Sequence, residues 1–389
     1  MQKNSIREMF FYIGIIVQFI MVCFLITIQE IPHSIVFVVA IVGSFGIKIF
    51  LTKYTKKEIA IIALLLIVSA ITYIKQGDSK ILRISLMFIA AKNIQTKRLF
   101  RFLSIAFLGL LIIIPILCIF GGVGIVSAYG TFGIGREAAT RYMLGFDGPN
   151  RLSGVWLCLL ASLYMVLGKR KLTDIIYLVV TIFLYGLNKS RTGLIAGLII
   201  IMFPYIYNYG PKIVKIIIQN NILKWTLFAI FVITVFATVA YGPIMERMNF
   251  IFNNRMSFLS RIYQGENITL WGSDFDFQEV YQGGMDNSYF NILYTNGLVV
   301  TVIYVAALLK YINILRKKNG NIIELSIALS FIVIAFVQEM IDVPFINYMY
   351  FLFILNWKEM MKSGIRLNKR VRYVNNKKDK EIMPQIISR

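Results

Sequence analysis

The sequence predicts an all-α polytopic membrane protein of about 12 transmembrane helices with both termini in the cytoplasm. Three observations lead there. Of the 389 residues, 58% are hydrophobic and only 15% charged, with mean hydropathy +0.71; soluble domains carry roughly 25% charged residues. Apolar runs of spanning length recur along the chain. Basic residues alternate between rich and poor connecting segments.

Each run is read against the ~20 apolar residues that a crossing helix needs. The runs are 9–28, 33–51, 58–74, 81–91, 99–120, 152–167, 174–187, 192–207, 224–241, 288–309, 322–340 and 344–357. The run 81–91 would cover only about 16 Å as a helix, so it is expected to be tilted, extended past Arg83 or a partial span. The first run is long, lacks a small-residue cleavage site and is followed by many more. It is expected to be an uncleaved span rather than a signal peptide.

With the N-terminus inside, 30 of the 41 Lys and Arg residues fall on the cytoplasmic side and 11 outside, as the positive-inside rule requires. Two external loops exceed hairpin length, 121–151 between spans 5 and 6 and 242–287 between spans 9 and 10. Loops this long are usually functional or disordered. The transmembrane domain is therefore expected over 1–357. The basic tail 358–389 is read as a disordered segment lying on anionic lipid.

Net charge is +22, but in so apolar a chain this points to an anionic membrane surface and not to nucleic acid. Cys23, Cys118 and Cys158 all lie in apolar runs, and His33 is the only histidine. These exclude a disulfide framework, a histidine-based metal cluster and a Ser-His-Asp triad in its usual form. Neither a metal nor a cofactor is expected.

The external basic residues are unlike the internal ones. Eight of the 11 are arginine (Arg83, Arg136, Arg141, Arg151, Arg191, Arg247, Arg255 and Arg261), against nine of the 30 inside. Topology counts charge and treats Lys and Arg alike. Arginine differs in its planar fork of donors, which grips phosphate or carboxylate with two hydrogen bonds. An anionic ligand on the external face explains the bias. The structural alternative is that single arginines snorkel or pair with nearby carboxylates. Arg191 lies in the tight turn Asn188-Lys189-Ser190-Arg191-Thr192-Gly193, where Ser190 or Thr192 could cap the following helix. Capping does not compete with anion binding, because a helix N-terminus is itself an anion site.

Three stretches together resemble the O-antigen and capsular polysaccharide polymerase family (Wzy-type), within the O-antigen polymerase and ligase superfamily. They are Gly145-Phe146-Asp147-Gly148-Pro149-Asn150-Arg151, the Ser190-Arg191-Thr192-Gly193 turn, and Asp286-Asn287-Ser288-Tyr289-Phe290-Asn291 followed by Tyr294-Thr295-Asn296-Gly297. The topology, with a large external loop late in the chain, is similar over most of its length.

The resemblance implies glycosyl transfer on the outer face of the cytoplasmic membrane. The growing glycan, held on undecaprenyl pyrophosphate, would be moved onto a new lipid-linked repeat unit. A chain-length regulator and a flippase would be the partners. Arg83, Arg136, Arg141, Arg151, Arg191, Arg255 and Arg261 are the candidates for meeting pyrophosphate. Asn150, Asn287, Tyr289, Asn291, Trp271 and Tyr281 are the candidates for glycan contact.

The ligase branch typically has a histidine where this chain has Asp286, which favours polymerase. Asp286 is then a candidate base for the acceptor hydroxyl, with helix capping by Asp286, Asn287 or Ser288 as the structural alternative. Glu339, with Asp342, could be the base instead, or a partner for a buried arginine such as Arg83 or Arg191. A lipid-oligosaccharide flippase or transporter is the main rival, and a ligase the second. A flippase would concentrate charge within its spans and would seldom devote 46 residues to one external loop.

Overall fold

The computed structural model describes residues 2–27, 34–121, 124–130, 139–212, 222–239, 255–273, 287–317, 321–336, 338, 345 and 347–362. Helices dominate them. The first eight are α1 (Gln2–Thr27), α2 (Ser34–Phe50), α3 (Lys56–Gln76), α4 (Lys80–Ala90), α5 (Thr96–Ile119), α6 (Pro149–Leu167), α7 (Lys171–Asn188) and α8 (Arg191–Tyr209). Then follow α9 (Ile222–Val239), α10 (Arg255–Gly265), α11 (Ser288–Thr295), α12 (Gly297–Lys317), α13 (Ile322–Ala335), α14 (Met349–Leu355) and α15 (Trp357–Met361). Between α5 and α6, strand β1 (Ser127–Gly130) pairs antiparallel with β2 (Ala139–Tyr142).

Among the described residues seven helices are long and apolar enough to cross a membrane: α1, α3, α5, α6, α7, α8 and α12. Shorter apolar stretches lie in α2, α9 and α13. Helix α5 shows why the medium must be lipid. Leu99, Leu103, Phe107, Leu110 and Ile114 face inward and are buried. The opposite stripe is just as apolar, with Ile105 73% exposed and Ile119 69% exposed. A helix apolar on all sides belongs in a core or a bilayer, and water would not tolerate an exposed patch of this extent. The chain is an integral membrane protein.

The seven-residue α14 lies inside the bundle. Every residue of α14 from Met349 to Ile354 is buried. Just before it, Phe345 packs against Phe19 of α1 and Phe107 of α5. Tyr348 stacks on Phe100 of α5 and Phe331 of α13, and its hydroxyl donates to Ser162 Oγ of α6 at 3.1 Å. The bundle closes around this segment, so α14 needs no lipid-facing stripe.

Helix ends gather into two sets. In one, Lys92 beyond α4 pairs with Glu58 at 2.6 Å and donates to the Lys53 carbonyl at 2.8 Å. Its ammonium also lies 4.8 Å from the ring centre of Tyr54. Trp357 Nε1 donates to the Phe88 carbonyl at 2.8 Å, and Tyr54 to the Ile89 carbonyl at 3.1 Å. These donors reinforce the last-turn carbonyls of the 11-residue α4, which also accept from the Ala91 and Lys92 N–H groups at 3.3 and 3.4 Å. The other set holds the end of α1, whose Ile26 carbonyl accepts from the Asp147 N–H at 2.7 Å, and the starts of α6 and α8, joined by Ser190 and Asn150.

Asp174, at the start of α7, is a buried carboxylate that accepts from Tyr164 and Tyr205, each at 2.6 Å. Lys169, in the turn before α7, lies over the Tyr205 ring. Burial holds its ammonium below the ordinary lysine range, and the nearby Asp174 charge works in the other direction.

Three expectations are corrected. The 288–309 run is not one helix: it breaks at Asn296–Gly297 into α11 and α12, because Gly297 takes a positive φ of 84°. The 344–357 run is not one continuous helix: α14 stops at Leu355 before Asn356, and α15 begins only at Trp357, the last residue of the run. The 121–151 loop holds a hairpin, so the chain is not purely α. The 11-residue α4 is too short to cross alone and fits the partial-span expectation.

Asp174→Ala leaves the buried Tyr164 hydroxyl and the half-buried Tyr205 hydroxyl without their acceptor, a loss worth about 1–3 kcal/mol. Thermal unfolding of the purified protein in detergent should show a midpoint lower by several degrees, and an unchanged midpoint would contradict the account of this cluster.

Candidate functional site

Two of the three sequence stretches singled out above meet. The Ser190 hydroxyl donates to Asn150 Oδ1 at 2.9 Å, joining the N-terminus of α8 to that of α6. Ser190 is also the N-cap of α8, its oxygen accepting from the Gly193 N–H at 3.3 Å. Asn188 completes the junction. Its Oδ1 accepts from the Ser190 N–H and its Nδ2 donates to Ser153 Oγ on α6, both at 2.9 Å. Gly193 allows this approach, since a Cβ there would collide with the Ser153 side chain.

Two helix N-termini therefore stand side by side, each with the positive end of its dipole at the junction. Arg151 is half-buried in the first turn of α6 and Arg191 is exposed as the first residue of α8. Lys189, left-handed at φ 54°, is exposed beside them. Helix α6 has no side-chain cap. The arrangement concentrates positive potential and is suited to an anion.

The third stretch is built differently. Asn287 caps α11, its Oδ1 accepting from the Tyr289 and Phe290 N–H groups at 3.0 and 3.1 Å. Ser288 donates to the Gln338 carbonyl, and Tyr289 to the Ile332 carbonyl of α13 at 3.0 Å. Asn291 is buried and accepts from Thr295 Oγ1 at 3.0 Å. The polar atoms of Asn287, Tyr289 and Asn291 thus have structural work inside the bundle.

The other candidates stand on other elements. Arg83 is buried in α4, donating to Ser79 Oγ at 3.2 Å and to Met21 Sδ at 3.0 Å. Arg141 is half-buried on β2, in register with Ala128. On α10, Arg255 is the first residue and Arg261 is exposed. Trp271 packs half-buried against the core. Arg136, Tyr281, Asp286, Glu339 and Asp342 lie outside the described residues, as do Arg247 and the tail from 363.

Sequence reasoning missed Asn188, Ser153 and Gln76. Asn188 enters the sequence reading only as the first residue of the Ser190 turn, and nothing local marks Ser153 or Gln76, because their partners are distant in the chain. Among the described residues no three His, Cys, Asp or Glu side chains converge.

Ser190→Ala removes one cap and one bridge, at a cost of about 1 kcal/mol. Gly193→Ala forces α6 and α8 apart and should lower the unfolding midpoint more than Ser190→Ala. An equal or smaller loss would mean that the two helices do not meet as described. No family model, curated protein or solved structure matches the chain.

Proposed function

We propose that the protein is a polysaccharide polymerase that joins undecaprenyl-pyrophosphate-linked repeat units on the outer face of the cytoplasmic membrane. The observation that carries this is the Ser190–Asn150 junction. It brings together two stretches that resemble polymerase motifs, and it sets Arg151 and Arg191 at two abutting helix N-termini. A lipid pyrophosphate is the anion that this arrangement suits, being doubly charged and rich in acceptor oxygens.

In this scheme twelve crossings place both termini inside. The grouping of helix ends supports it, because the Lys92 cluster draws only on segments assigned to the cytoplasm and the Ser190–Asn150 junction only on external ones. Transfer breaks the bond between the anomeric carbon of the growing glycan and its pyrophosphate oxygen. The hydroxyl oxygen of the acceptor unit takes its place. Asp286 is assigned the hydroxyl proton, with Glu339 as the other candidate. Arg151 and Arg191 hold the departing pyrophosphate, with Arg83, Arg136, Arg141, Arg255 and Arg261 as further candidates. Glycan contacts are assigned to Asn150, Trp271 and Tyr281. Asn287, Tyr289 and Asn291 are the further candidates for glycan contact. A flippase delivers the substrate and a chain-length regulator acts on the product.

Purified protein given lipid-linked repeat units should yield a ladder of longer glycans. Transfer only to a different carrier would replace polymerase by ligase, and movement of the lipid across vesicles without joining would make it a flippase. Arg191→Lys, at unchanged membrane abundance, should lower ladder formation roughly tenfold or more, because the bidentate grip is lost. Full activity in that variant would remove Arg191 from the site.

A further inference from the structure

Helix α12 begins immediately after α11 has ended. An interruption of this kind strands donors and acceptors, and at a membrane boundary each must find a partner in the protein. Here the partner is a distant segment. The Leu298 and Val299 N–H groups donate to the Thr269 and Leu270 carbonyls at 3.0 and 3.2 Å. The Ser273 N–H donates to the Tyr294 carbonyl at 3.3 Å. Residues 269–273 therefore lie along the break like an added strand.

Two glycines permit the contact. Gly272 and Gly297 both have φ of +84°, and a Cβ on either would strike the backbone of the other segment. The whole is fastened from a third element. Gln76, the last residue of α3, is nearly buried, and its amide nitrogen donates to the Trp271 carbonyl at 3.0 Å and to the Thr295 carbonyl. Both partners are acceptors, so the amide orientation is fixed by chemistry. Two hydrogens on one neutral nitrogen meet one carbonyl from each side of the seam.

We infer that Gln76 is a positioning residue, a latch that locks the 269–273 segment onto the broken helix and so fixes both ends of the external loop. The loop enters through α10, which ends at Gly265 and carries Arg255 and Arg261. It leaves at Asn287, the cap of α11. With the latch closed, Arg261 on the helix before the seam and Asn287 after it keep a set relation to the bundle. The effect on glycan transfer rests on the polymerase reading; the latch itself does not.

Amide hydrogen exchange on the whole protein in lipid nanodiscs reads the latch directly. The Leu298 and Val299 amides have no partner within their own helix, so their protection reports the seam. Gln76→Met and Gln76→Glu, similar in size but without the paired donors, should speed exchange in a peptide spanning 297–300 by about tenfold. Peptides from α5 and α6 should stay unchanged, which shows that the bundle still folds. Gln76→Lys, whose ammonium can reach both carbonyls, should restore much of the protection. A packing role predicts the reverse order, with Met and Glu tolerated and Lys disruptive.

Unchanged exchange in Gln76→Met, or the packing order, overturns the latch. If exchange loosens while ladder formation stays at the wild-type rate, the positioning role falls. If no protein, wild type included, makes a ladder, the polymerase reading fails and the exchange result still decides the latch.

Discussion

The structure depends on one constraint, that no water is at hand inside a bilayer to meet a peptide N–H or C=O. A broken or truncated helix there leaves several such groups open, at a cost of kilocalories each. Several irregularities in the described residues come with a named remedy. The last turn of α4 is met by Tyr54 and Trp357. The gap between α11 and α12 is met by residues 269–273 and by Gln76. Helix α8 is capped by Ser190 and α11 by Asn287. The remedies come mostly from distant parts of the chain, so they also serve as tertiary ties.

Those ties differ between the two ends of the bundle. Around Lys92, an ion pair, aromatic rings and lysine-to-carbonyl bonds form a cross-linked base. Around Ser190 and Asn150 the bonds are among neutral side chains, and the charged groups Lys189 and Arg191 are left exposed. One end uses its cations to hold helices together. The other holds its helices with amides and hydroxyls, and Arg191 is exposed beside them.

Much of the fold was legible because its determinants are local. Runs of apolar residues mark α1, α3 and α5 to α8, and the Ser190 and Asn287 caps follow from side chains two or three residues before the N–H groups they serve. The break at Asn296–Gly297 was signalled by an Asn-Gly pair, a strong turn signal, but apolar residues on both sides made one continuous span the simpler expectation. The β1–β2 hairpin is only four residues per strand, too short for alternation to show. Asp174 and Gln76 were illegible for another reason. Tyr205 lies 31 residues from Asp174, and Trp271 lies 195 residues from Gln76, so only the fold brings them together. The site was legible as a set of motifs; which of them touch was not.

Sidedness is where the account is most exposed, because the proposed chemistry requires the Ser190 junction to face away from the cytoplasm. With Cys23, Cys118 and Cys158 replaced, single cysteines at Lys189 and at Lys171 can be challenged with a membrane-impermeant thiol reagent. These residues flank α7 at its two ends and both are exposed. The account predicts labelling of Lys189→Cys in cells whose outer barrier alone has been opened, and of Lys171→Cys only after the cytoplasmic membrane is broken. Labelling in the opposite order would contradict it.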